Sequence, residues 1–457
     1  TIAGFSSLIL SDLLPVINFG WMMSLGVSIS LLVTFLIFPV LLLELSKIDP
    51  NLSFENKFNL PELVAKFANN YGTLSLVFAF VIFIFSLIGV TKLKVENSFI
   101  DYFKSNTEIN KGMVVIDEKL GGTTILDVTL DFENSKEAGQ EKETTNLSED
   151  FDDLLMEFEE ESNEAKYWFT DYKMTQIEKL HDYLNSLEET GKVLSFATIL
   201  KIGRSINNGN SLDSVQLGLL YEKLPPEYKE VIVDPFISTE SNQARITLRV
   251  KDSDPKLRRN ELIKKIKKEA PEILQVEDEK VKLSNILILY NNMLQSLFSS
   301  QILTLGLVIV VLFSMFLILF KSLKVSVIAL LPNLLSIGSV LGIMGIFSIP
   351  LDMMTITIAA ISMGIAVDNT IHYIFRHKTE FHNKKNYETA MLYTHTSIGY
   401  ALYYTTLTII IGFSILVFSN FIPSIYFGLL TSLAMFIALF ATLTIVPKLL
   451  TIFRVYS

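Results

Sequence analysis

Asp368 is the residue whose type and setting point most directly to chemistry. It lies within Thr355–Phe375, an otherwise apolar run that leads into Arg376 and Lys378. A carboxylate near the middle of a bilayer costs about 2.5–3.5 kcal/mol on insertion scales, so something must offset it. Taking up and releasing a proton, or coupling to an ion, is the chemistry that a solitary acid in such a run can do. Gly364 lies four residues before it and His372 four residues after, so the three share one helical face. The glycine admits a second helix at close range. Asp368 and His372 could therefore form a short proton path. Asn369 sets an amide next door. The plainer alternatives are a structural hydrogen bond between helices for Asp368 and an interfacial histidine for His372.

Other polar residues could support this group. Ser397, Thr405 and Thr408 lie on roughly one face of the run 397–419, where they either line a water wire toward Asp368 or serve as helix-packing hydroxyls. Asn333, directly after Pro332, is a weaker candidate for the same network. Outside these runs no pairing of serine, histidine or carboxylates looks catalytic, and His181 is expected on a helix surface. No metal-ligand spacing, P-loop or dinucleotide glycine motif is present, so no cofactor, metal or nucleotide hydrolysis is expected, and the chain does not read as an enzyme. The absence of cysteine excludes disulfides, thiolate metal sites and a cysteine nucleophile.

The elements that must hold these residues are membrane spans. The chain has 457 residues, half of them hydrophobic and only 19% charged, with a mean hydropathy of +0.42. A soluble domain carries about 25% charged residues. The net charge of −10 argues against a nucleic-acid partner. Apolar runs long enough to span fall at about 17–43, 73–91, 300–320, 325–349, 353–375, 397–419 and 424–447, after an apolar stub at 1–11. Lys47, Lys57, Lys66, Lys321, Lys324, Arg376, Lys378, Lys384, Lys385, Lys448 and Arg454 all fall in alternate connections. The opposite connections, Ser11–Leu14, Ser348–Asp352 and Ser419–Pro423, carry no Lys or Arg. The positive-inside rule therefore puts the basic connections in the cytoplasm and the polar stretch 93–298 outside.

The two ends of the chain repeat each other at an offset of 408. Gly4-Phe5-Ser6 meets Gly412-Phe413-Ser414, Ser11 meets Ser419, Pro15 meets Pro423, Phe19-Gly20 meets Phe427-Gly428, and Pro39 meets Pro447. Shared turn and small polar residues at one offset are more telling than shared Leu and Ile. The expectation is that 1–45 closes a first transmembrane half, with a full chain of roughly 800 residues and twelve spans.

The segments so defined are the end of a first half (1–45), a cytoplasmic linker with an interfacial helix (46–72), the first span of a second half (73–92), an external α+β domain (93–298) and a five-span bundle (299–453). Within the external domain Thr124–Phe132, Val193–Phe196, Arg245–Val250 and Leu283–Leu289 read as strands. Ile177–Leu187 and Lys256–Lys268 read as helices, so the domain reads as a split βαβ, ferredoxin-like layer. Glu133–Glu164 holds thirteen acidic residues and reads as a solvated insertion.

Leu331–Lys378, with Gly364-Ile365-Ala366-Val367-Asp368 and Ile371-His372 behind the IPLDMMT block, closely resembles the central block of the resistance-nodulation-division (RND) superfamily. It looks most like the MMPL-type branch of hydrophobe and lipid exporters, related to Patched. Leu74–Thr91 resembles that family's first span, Tyr102-Phe103 and Leu120-Gly121-Gly122 its domain entry, and Gly399 to Phe413 its penultimate span. The resemblance implies an α-helical membrane bundle of two pseudo-symmetric six-span halves. It implies a multi-pass protein of a bacterial inner membrane with a periplasmic domain. It also implies proton antiport of hydrophobic or amphiphilic molecules, often lipids, with Asp368 as the relay carboxylate, Asn369 and His372 beside it, and a homo-oligomer or a periplasmic partner as company. Many relatives have Asp-Tyr or Asp-Asp where this chain has Asp368-Asn369. Two alternatives stay open: a protein-translocation accessory of the same superfamily, and a lipid-sensing receptor that transports nothing.

Overall fold

The computed structural model describes residues 1–44, 60–93, 98–132, 168–210, 212–254 and 256–456, the side chains of Leu60, Ile206 and Leu220 excepted. The acidic stretch Glu133–Glu164 and the segment with Lys47 and Lys57 lie outside the described residues. Along the chain run α1 (Ile2–Ser7), α2 (Leu14–Glu44), α3 (Leu60–Val90), α4 (Glu108–Lys119), β1 (Thr124–Asp131), α5 (Asp171–Ser186), β2 (Thr190–Leu194), α6 (Phe196–Ile206), α7 (Ser214–Lys223) and α8 (Pro226–Ile232). They are followed by β3 (Ile237–Ser238), β4 (Gln243–Val250), α9 (Arg259–Leu274), β5 (Val281–Ser284), α10 (Ile286–Phe320), α11 (Leu323–Ile346), α12 (Ile358–Lys384), α13 (Tyr387–Ser414) and α14 (Ile422–Phe453). Two compact units result: Thr1–Asn97 with Asp101–Lys104 and Met293–Ser457, and Ser98–Ile100 with Ser105–Asn292.

Among the described residues, α2, α3 and α10–α14 are seven helices long and apolar enough to cross a bilayer. The helix α3 bends at Tyr71 (φ −117°, ψ 15°), so the stretch from Leu60 is continuous with the span that follows it. A glycine-lined crossing of α3 on α11 holds the bundle tight. A Cβ on Gly89 of α3 would fall 2.1 Å from the Gly342 carbonyl oxygen of α11, and one on Gly345 would fall 1.7 Å from the Gly89 oxygen. Only glycine fits there, and the backbones touch directly. Lys321, Lys385 and Arg454 follow α10, α12 and α14 in left-handed conformation (φ 50°, 55° and 44°). Each sets a cation at a helix C-terminus, where the macrodipole favours it.

The repeat is visible in the bonds themselves. Ser6 Oγ lies 3.2 Å from Ser24 Oγ, and Ser414 Oγ lies 3.3 Å from Ser432 Oγ. The Phe5 and Phe19 rings meet edge-on at 6.3 Å, and those of Phe413 and Phe427 at 5.7 Å. Ser11 Oγ accepts from Leu13 N at 3.4 Å, and Ser419 Oγ accepts from Phe421 N at 3.0 Å. Gly20 and Gly428 each leave no room for a Cβ, being packed on the carbonyl oxygens of Phe5 and Phe413.

The second unit is built on an antiparallel sheet of order β2-β4-β1-β5, with β3 also paired to β4. Leu126, Val128 and Leu130 of β1 face Leu248, Ile246 and Ala244 of β4 across the ladder. The helices α5 and α9 cover this face through Leu180, Leu184, Leu262, Ile266 and Ala270, at helical spacing. The element boundaries differ from those expected. α9 begins at Arg259 and continues past Lys268, because Ala270 and Leu274 extend its apolar stripe until Gln275 turns left-handed (φ 55°). The β5 strand stops at Ser284, since Asn285 adopts φ 80° and α10 starts behind it. The β2 strand stops at Leu194, because Ser195 caps α6 by accepting from Ala197 N at 3.1 Å.

His181 is buried rather than on a surface, because it shares the inner stripe of α5 with Ile177 and Leu184. Its Nδ1 meets Ser195 Oγ at 2.9 Å, and burial, assisted by Lys201, pushes its pKa down.

Two buried carboxylates tie the loops of this unit. Asp252 pairs with Arg259 and accepts from Ser98 Oγ at 2.7 Å and Phe99 N at 2.8 Å. Asp117 accepts from Ser253 Oγ at 2.5 Å, Asp252 N at 2.9 Å and Thr123 N at 3.0 Å. Burial works against the charge on Asp117, but these bonds outweigh it and hold the carboxyl below its ordinary 3.8. A depressed folded pKa gives stability that is complete above 3.8 and lost as pH falls through the folded value. Acid unfolding of this unit, followed by Trp168 fluorescence in a Trp21→Phe background, should therefore steepen below that pH. Asp117→Asn should flatten that limb. A second expectation concerns the first unit. Gly345→Val should cost about 1–3 kcal/mol by wedging α3 from α11, read as a lower thermal midpoint. Gly306→Val, which meets open space, should leave the midpoint unchanged.

Candidate functional site

The helix α12 carries the candidate residues, and its composition explains its place. Its span is the least apolar of the seven and is largely enclosed by neighbours, as the more apolar α14 also is. Lipid offers no partner to a hydroxyl, amide or imidazole, and here α11, α13 and α14 wrap the span, with α1 at one edge.

At that edge α1 touches α12 through two glycines. A Cβ on Gly4 would come within 2.5 Å of Gly364 Cα. Asp368 stands one turn beyond the contact, its Oδ2 accepting from Thr1 Oγ1 at 2.7 Å. Its side chain remains 52% exposed. His372, a further turn on, is also exposed, and among the described residues no hydrogen bond or ion pair joins it to Asp368.

Asn369 turns to the opposite edge. It is buried, and its Nδ2 donates to Thr406 Oγ1 of α13 at 3.0 Å. Ser397, Thr405 and Thr408 are exposed and bond back to their own helix, to the carbonyls of Tyr393, Ala401 and Tyr404 at 2.8, 2.9 and 2.8 Å. Asn333 is enclosed on α11, where its Nδ2 donates to the Ala329 carbonyl at 3.2 Å and its Oδ1 meets no partner. The structure thus brings Gly364 and Asp368 to one edge and Asn369 to the other, with Ser397, Thr405, Thr408 and Asn333 elsewhere.

The inner edge of α12 holds residues that sequence reasoning missed. Thr370 Oγ1 meets Thr442 Oγ1 of α14 at 3.2 Å. Tyr373 Oη meets His395 Nδ1 of α13 at 3.3 Å, and His377 is fully buried one turn on. The signal was the four-residue spacing of Asn369, Tyr373 and His377, which marks one helical stripe.

At the other end of the bundle, a cavity of about 400 Å³ is lined by Pro15 and Phe19, by their repeat partners Pro423 and Phe427, and by Tyr102 and Asp352 among others. Its wall is mostly apolar, which suits a hydrocarbon chain. Asp352 is buried, and its Oδ1 accepts from the backbone of Met354 and Thr355, both at 2.8 Å. Burial pushes this carboxyl above its ordinary range, although those bonds pull the other way. Among the described residues no group of three or more His, Asp or Glu side chains is placed to hold a metal ion.

Comparison with known proteins agrees with this architecture. The membrane protein MJ1562 of Methanocaldococcus jannaschii is 23% identical over 408 residues, 85% of this chain and 92% of that protein. The cryo-EM structure of the hedgehog release protein Disp from the water bear Hypsibius dujardini superposes with a TM-score of 0.55 at 13% identity. That match covers 98% of this chain and 57% of the water-bear chain, and the likeness is one of fold. The sequence model of the MMPL family matches residues 141–454, well over half of the chain: the protein is a multi-pass membrane protein of the MMPL family.

Proposed function

We propose that this protein is an exporter of hydrophobic or amphiphilic molecules, lipids above all, driven by the proton-motive force with Asp368 as its relay. One observation carries the reading: a carboxylate stands in an apolar span one turn from the place where two helix backbones touch through Gly4 and Gly364. A neutral carboxyl tolerates a closely packed neighbour, whereas a charged one favours polar surroundings. Each protonation step therefore alters the preferred packing of α1 on α12 and rocks one part of the bundle against another. One charge crossing 100 mV supplies about 2.3 kcal/mol, which is on the scale of such a contact. The cavity walled by Pro15, Phe19, Pro423 and Phe427 supports an apolar cargo.

The same reading extends to the architecture. The duplicated serine pairs and phenylalanine contacts support two pseudo-symmetric six-span halves. The order β2-β4-β1-β5, with α5 and α9 on one face, supports a ferredoxin-like external layer. The basic residues at the ends of α10, α12 and α14 support a cytoplasmic location for those ends, with the second unit on the periplasmic side of a bacterial inner membrane.

The test uses vesicles containing the purified full chain, an imposed pH gradient and a lipophilic fluorescent cargo. Asp368→Asn should abolish gradient-linked efflux, with unchanged yield and thermal midpoint. Undiminished efflux from that variant would remove the mechanism. Secretory precursors accumulating in a deletion strain with its lipids unaltered would move the function to protein translocation. Wild-type vesicles with no proton-linked flux would make the bundle a sensor.

A further inference from the structure

The bundle buries two histidines that the Asp368 relay does not use, His377 of α12 and His395 of α13. The surroundings of His395 are unusual in supplying a partner for each of its protonation states. Its Nε2 lies 2.9 Å from the Leu443 carbonyl oxygen of α14. In an unbroken helix that oxygen would accept from the backbone N–H four residues on, but residue 447 is proline and has none. The imidazole thus answers a carbonyl that Pro447 leaves orphaned, and this fixes a proton on Nε2.

The other nitrogen keeps a choice. Nδ1 lies 3.3 Å from Tyr373 Oη and 2.9 Å from the Met391 carbonyl oxygen of its own helix. When bare it accepts from the tyrosine; when protonated it donates to the carbonyl. From Tyr373 the seam continues along α12 to His377, whose ring stacks on that of Tyr373 at 6.1 Å between centroids. Neither nitrogen of His377 closes a well-formed hydrogen bond, although the Tyr387 backbone approaches it. Tyr456, 5.7 Å away ring to ring, lines a cavity of about 330 Å³ that also holds Lys378 and His382.

We propose that His395 is a proton-binding site, taking up and releasing a proton at Nδ1 while Nε2 stays on the Leu443 carbonyl, with the Tyr373 hydroxyl as the partner of its unprotonated state. The groups that face it are Tyr373 and His377 from α12, the Leu443 carbonyl from α14 and the Met391 carbonyl from its own helix. Arg376 and Glu380 at that end of α12 pair with each other at 2.7 Å, as do Lys66 and Glu62 of α3 at 2.9 Å. The role assigned to the site rests on the proton-driven reading above, whereas its titration can be measured without it.

With five histidines in the chain, selective ¹⁵N labelling resolves them. The 457-residue chain in lipid nanodiscs is titrated between about pH 5 and 8, where imidazole charge changes. One ring should keep its Nε2–H throughout while its Nδ1 converts from protonated to bare, and His395→Gln should delete that signal. Tyr373→Phe should shift its midpoint. Pro447→Ala, which restores the backbone N–H, should release the fixed tautomer. A His395 resonance locked in one state across the range would overturn the proposal. In vesicles, His395→Gln should lower proton-linked efflux at least tenfold, and Asp368→Asn should leave the His395 titration in place. A titrating His395 in wild-type protein that moves no cargo keeps the site and ends the transport reading. Full efflux from His395→Gln ends this proposal and leaves the transport reading intact.

Discussion

A helix that carries a carboxylate, an amide, threonines and histidines can cross hydrocarbon only if other helices supply what water would. That constraint organises the membrane unit. It places α12, the least apolar span, against α11, α13 and α14. It also explains the pairing of the inner-edge residues. Asn369 finds Thr406, Thr370 finds Thr442, and His395 takes the carbonyl that Pro447 strands. Asp368 departs from this pattern. It lies at the outer edge beside the Gly4–Gly364 contact, where the Thr1 hydroxyl donates to it and its side chain stays half exposed.

The spans and the repeat were legible for different physical reasons. Bilayer thickness forces runs of about 20 apolar residues, and no soluble fold needs seven of them. The repeat was legible because Pro, Gly and Ser recur at one offset, and each recurs for a cause now visible. Gly20 and Gly428 admit a carbonyl, Ser11 and Ser419 hold a backbone N–H, and Ser6 and Ser414 reach a serine of the next helix. The order of strands was not legible, because ladders such as Thr124–Val250 join residues far apart in the chain. Nor was the working face of α13. Periodicity groups Ser397, Thr405 and Thr408, but a step of one residue turns the helix by about 100°, and it is Thr406 that reaches α12. Likewise Asn369, not its neighbour Asp368, points inward.

The second unit achieves its order by other means. Its sheet and two helices bury a conventional apolar layer, while Asp117 and Asp252 gather the chain on either side of the sheet into one hydrogen-bonded knot. Removing one partner of such a buried pair is far more damaging than never having built it. The knot therefore specifies one arrangement of the loops more than it adds to stability.

The bend at Tyr71 has a consequence for the surrounding bilayer. Beyond it, the upright arm of α3 has only the nineteen residues Gly72–Val90, roughly 28 Å of helix, whereas α14 has thirty-two, roughly 48 Å. The short arm nearly matches a hydrocarbon core of about 30 Å, whereas the long helix exceeds it and must lean or run into the headgroups. Two helices of one bundle thus meet the same bilayer with different hydrophobic lengths.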